Sequence, residues 1–152
     1  MSTKDQSDTP KERSLLLVKP DGFRRGLTGE VLSRVERKGY VLQGLKIQTA
    51  SAELLKQHYA EHVDKPFFNS LLEYMMEGPL AAAVVEGDRV VEALRVMSGA
   101  TNPTLANPGT IRGDFARDWG GDRVENVVHT SDSPASAERE IALWFPELSE
   151  PA

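Results

Sequence analysis

The chain contains no cysteine. That excludes disulfides, thiolate metal sites and a cysteine nucleophile, and it suits a reducing compartment. No apolar run approaches the roughly 20 residues needed to cross a bilayer. The opening stretch MSTKDQSDTPKER lacks the apolar centre of a signal peptide. Positive charge is also in deficit: 18 Lys and Arg face 23 Asp and Glu, a formal net charge of −5. Such a balance argues against a large phosphate-backbone footprint and hence against nucleic acid as a partner. It leaves room for a small anion held by a few local cations. Neither glycine-rich phosphate fingerprint occurs, neither G-x-x-x-x-G-K-[ST] nor G-x-G-x-x-G, and no Lys precedes Ser or Thr. Any phosphate ligand would have to be held by side chains.

What remains describes one folded unit. A length of 152 residues with 39% hydrophobic content suits a single packed core and is too apolar for a disordered chain. Residues 1–13 read as a flexible polar arm, 14–146 as the folded domain and 147–152 as a short loose tail. Ser14–Val18 is an apolar run of strand length. Residues 28–38 suit a helix capped by Thr28 and ended by Gly39, and Tyr40–Ile47 a second strand. Ser51 is placed to cap a helix reaching His62, and a further helix spans about Pro66–Glu77. Leu80–Val85 reads as a buried strand, Asp88–Met97 as a helix, Asn126–Thr130 as a short strand and Ser136–Phe145 as the last helix. Between them, residues 98–123 hold seven glycines or prolines, the mark of a functional or disordered excursion. The order β-α-β-α-α-β-α-β-α fits either a parallel doubly wound sheet or an α+β sandwich.

Several polar residues interrupt apolar stripes. Glu140 follows Ala137 by three and precedes Trp144 by four, so it faces the core edge and needs a partner. Arg95 sits beside Leu94, and His58 and Tyr59 continue the Leu54/Leu55 face. Each also fits an ordinary edge residue that reaches water. HYAEH (58–62) matches the H-x-x-E-H zinc pattern, but no third ligand is evident. His129 ends a strand in NVVHTSDS, and the next helix presents Glu140 inward. A carboxylate on one imidazole nitrogen fixes the tautomer and leaves the other nucleophilic. Lys19, Arg95, Thr101 and Arg112 are the candidate phosphate holders, none specific alone.

Taken together these segments resemble nucleoside diphosphate kinase. The blocks are VKPDG (18–22), RGLTGEVLSRVERKG (25–39), HYAEH-x-x-KPFF (58–68), GATNP (99–103), PGTIRGDF (108–115), NVVHTSDS (126–133) and SAEREIALWF (136–145). The resemblance implies an α+β fold, a ferredoxin-like βαββαβ antiparallel sheet with surrounding helices, in place of the parallel option. It implies ping-pong transfer of the γ-phosphate between ATP or other nucleoside triphosphates and nucleoside diphosphates, through a phosphohistidine on His129. By position, Glu140 would orient His129 with help from Ser131. Lys19 and Asn126 would meet the sugar hydroxyls, with Lys19 also near the transferring phosphate. Arg95, Thr101 and Arg112 would bind phosphates, and Tyr59 would line the transfer site. Phe67 would stack on the base beside Leu71, a contact indifferent to base identity. Mg2+ would arrive mainly with the nucleotide rather than in a protein cage. The expected location is the cytoplasm, with no membrane association. The expected assembly is a homo-oligomer, a hexamer or tetramer of dimers, with residues 98–115 near the subunit contacts.

Two departures from the family pattern stand out. Thr130 occupies the place after the histidine where the family usually has Gly. A β-branched residue there is strained if the backbone needs a positive φ, and otherwise narrows the site. The stretch from Phe115 to Asn126 runs about four residues longer than is usual. Its Trp119 either joins the base clamp or packs elsewhere. These features motivate an alternative: a catalytically weakened nucleotide-binding or interaction module on the same fold.

Overall fold

The computed structural model describes residues 11–121 and 125–149. Four strands form one sheet in the order β2-β3-β1-β4. They are β1 (Arg13–Val18), β2 (Val41–Gln48), β3 (Leu80–Glu86) and β4 (Val128–Thr130). Every neighbouring pair is antiparallel, so the sheet is ferredoxin-like and the parallel alternative falls. The helices are α1 (Pro20–Arg24), α2 (Thr28–Arg37), α3 (Ala52–His58), α4 (Phe68–Met76), α5 (Val90–Ser98), α6 (Ile111–Phe115) and α7 (Pro134–Trp144).

β1 is central and covered on both faces, which explains its unbroken apolar run. Its side chains alternate across the pleat. Leu16 and Val18 join Val31, Val35, Val90, Leu94 and Ile111 on one face. Leu15 and Leu17 join Leu55, Tyr74, Met75, Ile141 and Trp144 on the other. Each such Leu or Val adds about 1.5–3 kcal/mol relative to an exposed position. Helices α2, α5 and α6 thus clamp one face, and α3, α4 and α7 the other.

Several expected boundaries move. The arm ends earlier than expected. The Glu12 carbonyl accepts Gly87 N–H at 3.0 Å, its carboxylate accepts Val91 N–H at 2.9 Å, and Arg13 already belongs to β1. Residues 1–10 of that expected arm lie outside the described residues. The tail is also partly packed. Pro146–Leu148 forms a 3-10 turn, Leu148 sits against the α7 side of the core, and its carbonyl accepts Arg13 Nη1 at 2.7 Å. Residues 150–152 lie outside the described residues.

Thr28 is the first helical residue rather than a cap; Leu27 holds the cap position without a side-chain bond. Ser51 does cap α3, accepting Leu54 N–H at 3.1 Å. That helix stops at His58 because Tyr59 leaves helical geometry (φ −102, ψ 36), and Ala60–His62 forms a separate 3-10 turn. Pro20–Arg24 forms the short helix α1 after Lys19, with Pro20 in its first turn, where no N–H is needed. The Gly/Pro excursion contains a 3-10 turn at Pro103–Leu105 and the helix α6, capped by Thr110.

Candidate active site

A cavity of about 570 Å³ opens between β4, α3, the start of α4, the end of α5 and α7. Lys19, Tyr59, Phe67, Leu71, Arg95, Thr101, Arg112, Asn126, His129 and Glu140 all line it. Ser131 lies behind the wall, fully buried. The fold therefore brings together every candidate named from the sequence.

At the centre, His129 Nε2 faces Glu140 Oε1 at 3.0 Å. A carboxylate oxygen accepts, so Nε2 carries the hydrogen and Nδ1 keeps its lone pair. Ser131 Oγ donates to the same Oε1 at 2.7 Å and accepts Leu15 N–H at 3.2 Å, which ties the pair to β1. Burial alone would raise the Glu140 pKa. The bonds from His129 and Ser131 outweigh it and hold the carboxyl below its usual range.

Around this pair lie the cations. Arg112 is buried and donates to three carbonyls: Asn126 at 3.3 Å, Gly99 at 2.9 Å and Val128 at 2.7 Å. Desolvation, then the neighbouring Arg95 charge, lowers its pKa to about 10. Lys19 Nζ donates to Asn126 Oδ1 at 2.9 Å, and Asn126 Nδ2 donates to the Thr101 carbonyl at 3.0 Å. Desolvation, then Arg112, lowers the Lys19 pKa to about 8. Arg95 pairs with Asp132 at 2.6 Å; both are exposed, so that pair yields readily to a better anion. Gly99 closes α5 at φ 84, and a Cβ there would collide with Thr110.

At the outer wall, Phe67 is 49% exposed, free to meet a flat ligand. His62 tilts against it at 5.5 Å. Burial, then the Glu140 charge, raises the Tyr59 pKa well above the usual phenol range.

Thr130 lies in β4 opposite Leu16. Among the described residues the only non-glycine positions with positive φ are Arg89 and Val127, so Thr130 is unstrained and simply narrows the site. Trp119 does not line this cavity. It stacks under Arg117 at 4.3 Å and Arg25 at 6.0 Å. The rest of its longer loop includes residues 122–124, which lie outside the described residues.

The break at Tyr59 separates the two histidines of HYAEH. His62 sits at the rim, while His58 turns inward and accepts Trp144 Nε1–H at Nδ1, 3.0 Å away. His58, His129 and Glu140 do come within 4.8 Å of one another. They are a poor metal site, because a metal on His58 Nε2 would strip the ring of its last proton. Sequence reasoning placed His58 on the buried face of its helix but gave it no role. It missed Asp21, which no apolar pattern marks. Arg139, which reaches the Gln57 carbonyl at 3.0 Å, was missed as well.

An α+β fold that sets an oriented imidazole among Lys19, Arg95, Arg112 and Arg139 beside an exposed aromatic ring defines a nucleotide phosphotransferase. The family model for nucleoside diphosphate kinase matches residues 12–149. The chain belongs to that family. It is 56% identical over 138 residues to the nucleoside diphosphate kinase of Thermobifida fusca, covering 91% of this chain and 99% of that one. The Mycolicibacterium smegmatis enzyme is 59% identical over 136 residues, covering 89% and 95%. Among solved structures, a halophilic nucleoside diphosphate kinase from Halobacterium salinarum in complex with CDP superposes with a TM-score of 0.83 at 43% identity, covering 90% of this chain and 88% of that one. A transition-state mimic of the Borrelia burgdorferi enzyme with vanadate and ADP gives 0.85 at 38% identity, covering 93% and 91%.

Proposed function

We propose that this nucleoside diphosphate kinase moves the γ-phosphate of ATP and other nucleoside triphosphates onto nucleoside diphosphates through a phosphohistidine on His129. The observation that carries this is the 3.0 Å bond from His129 Nε2 to Glu140, which leaves Nδ1 as the nucleophilic nitrogen. Nδ1 attacks the γ-phosphorus, and the bond to the β–γ bridging oxygen breaks. The diphosphate leaves with that electron pair. The phosphorylated ring is then cationic with Nε2–H on Glu140, whose negative charge offsets it. A second diphosphate attacks the same phosphorus through a terminal oxygen, the P–N bond breaks, and neutral His129 returns.

Arg112, Arg95 and Thr101 hold the phosphates in this reading. Lys19 and Asn126 meet the sugar hydroxyls, Lys19 also steadies the moving group, and Tyr59 lines its path. Phe67 stacks on the base with Leu71 beside it. Mg2+ is proposed to enter on the nucleotide, offsetting phosphate charge. The donor set fits this: Glu140 is engaged with His129 and Ser131, Asp132 with Arg95, and the nucleotide supplies the hard oxygens.

A homo-oligomer, a hexamer or tetramer of dimers, belongs to the same proposal. β2 is an edge strand of the sheet whose Val41, Leu45 and Ile47 are more than half exposed. Apolar side chains on an open edge favour pairing with another copy. A cytoplasmic location is proposed in keeping with the absence of cysteine. No helix among the described residues is long and apolar enough to cross a membrane.

The test is exposure of the pure protein to nucleotide labelled in the γ-phosphate. Acid-labile, base-stable label on the wild type, chased by any diphosphate and absent from His129→Ala, is expected. Equal label on His129→Ala would end this reading.

A further inference from the structure

Two imidazoles compete for one carboxylate at the floor of the cavity. A nitrogen of His58, a nitrogen of His129 and an oxygen of Glu140 lie within 4.8 Å of one another. The carboxylate takes His129. His58 instead accepts the Trp144 indole N–H at 3.0 Å on Nδ1. An indole nitrogen only donates. His58 Nδ1 therefore holds a lone pair, and the ring's proton must sit on Nε2. The three rings interlock edge to face: His58 meets His129 at 4.6 Å and 71°, and Trp144 at 5.7 Å and 89°. Tyr59 closes the remaining side at 4.5 Å and 88°.

We propose that Trp144 and His58 form a positioning pair: the indole locks His58 as a neutral imidazole, which reserves Glu140 for His129 and steadies the nucleophile's ring. The proposal rests on His129 being the phosphate carrier. Neither member of the pair is expected to touch phosphate, so neither is a catalytic residue. The groups facing His58 agree with it. His129 stands on β4, Glu140 and Arg139 on α7, Lys19 at the end of β1, and Tyr59 next in the chain. Desolvation acts first, then His129, Arg139 and Lys19 disfavour a proton, against Glu140 alone. Together they lower the His58 pKa to about 3. Without the indole bond, Nδ1 is free to take a proton. A cationic His58 then draws the carboxylate away from His129 as pH falls.

Two measurements test this. Nitrogen-15 NMR of the imidazoles in the full chain, from about pH 5 to about pH 8, reads the tautomer directly and needs no activity. The expected result is His58 as the Nε2–H form with no titration. An Nδ1–H form, or a midpoint near the ordinary histidine value, overturns the proposal even if every variant fails to fold. The second measurement is the rate of enzyme phosphorylation by ATP against pH. Trp144→Phe should move the acid limb upward, with roughly a tenfold loss for each pH unit moved. Adding His58→Asn, which cannot titrate, should return the limb to its wild-type place. A uniform loss at every pH, with the limb unmoved, would reduce the pair to packing. Failure of His129 itself shows separately, as wild-type protein that takes up no label.

Discussion

Asp21 fastens the start of α1 to the strand that carries His129. Its Oδ2 accepts the Val127 N–H at 3.1 Å, and its Oδ1 accepts the Tyr74 hydroxyl. Val127 stands at φ 73, a conformation that costs a β-branched residue about 1–3 kcal/mol. Lys19 N–H adds a bond to the Val127 carbonyl at 2.7 Å. The two bonds together turn the chain so that Asn126 and His129 share one cavity wall. Asp21→Ala would remove the carboxylate that accepts both the Val127 N–H and the Tyr74 hydroxyl. A loss of about 2–4 kcal/mol in urea unfolding is expected, with Tyr74→Phe losing less. If Asp21→Ala unfolds with the wild type, Val127 holds its turn without this carboxylate.

Lys19 is expected to make nucleotide capture pH-dependent. Its pKa is lowered to about 8. Below that value the ammonium attracts phosphate, and above it the charge is lost. kcat/KM, which reports the free enzyme, should therefore fall as pH rises through about 8, by roughly tenfold per unit beyond it. Lys19→Arg stays charged and should move this limb to higher pH. An alkaline limb in the same place in Lys19→Arg would assign it to another group.

The Glu140 charge is expected to matter more than its hydrogen bond. Glu140→Gln retains an acceptor for His129 Nε2 but cannot offset a cationic phosphorylated ring. Single-turnover phosphorylation should slow by on the order of 10- to 100-fold. Ser131→Ala removes one donor, leaves the charge in place, and should slow the step less. Equal rates for wild type and Glu140→Gln would remove electrostatics from the role of this residue.

How much of this was legible in the sequence depends on how each residue acts. Buried runs marked β1 and β3, because both are covered on both faces and lose their alternation. Glu140 was visible because a carboxylate on an apolar stripe must have a partner, and it has three in His129, Ser131 and Arg139. The short helices α1 and α6 were not visible, since five residues each carry too little period to register. Sheet direction was ambiguous, because uneven helical insertions fit both parallel and antiparallel pairings. The Trp144–His58 bond was invisible for a simpler reason. It joins positions 86 residues apart, and only the packing of α3 on α7 brings them together. Asp21 carries no mark in the sequence, yet its carboxylate serves a backbone amide 106 residues on.

Thr130 supplies a prediction where sequence alone left two outcomes. The residue is buried and lies in β4 without a positive φ. Thr130→Gly therefore relieves no strain and loosens a strand. A loss of about 1 kcal/mol of stability is expected, with phosphorylation of His129 retained. Higher stability in the glycine variant would mean that Thr130 is strained after all.

Ile47 tests the assembly. It is 64% exposed on edge strand β2, in line with Leu45 and Val41. Covering these side chains with a second copy would add about 1.5–3 kcal/mol for each one fully buried. Ile47→Lys puts a charge in the middle of that contact and also protects the open edge against pairing. Light scattering should show the wild type as an oligomer and the variant shifted toward smaller species, more so on dilution. The variant should keep its acid-labile label on His129, because Ile47 is not among the residues lining the cavity. An unchanged mass in Ile47→Lys would move the subunit contact away from β2 and direct attention to residues 98–115.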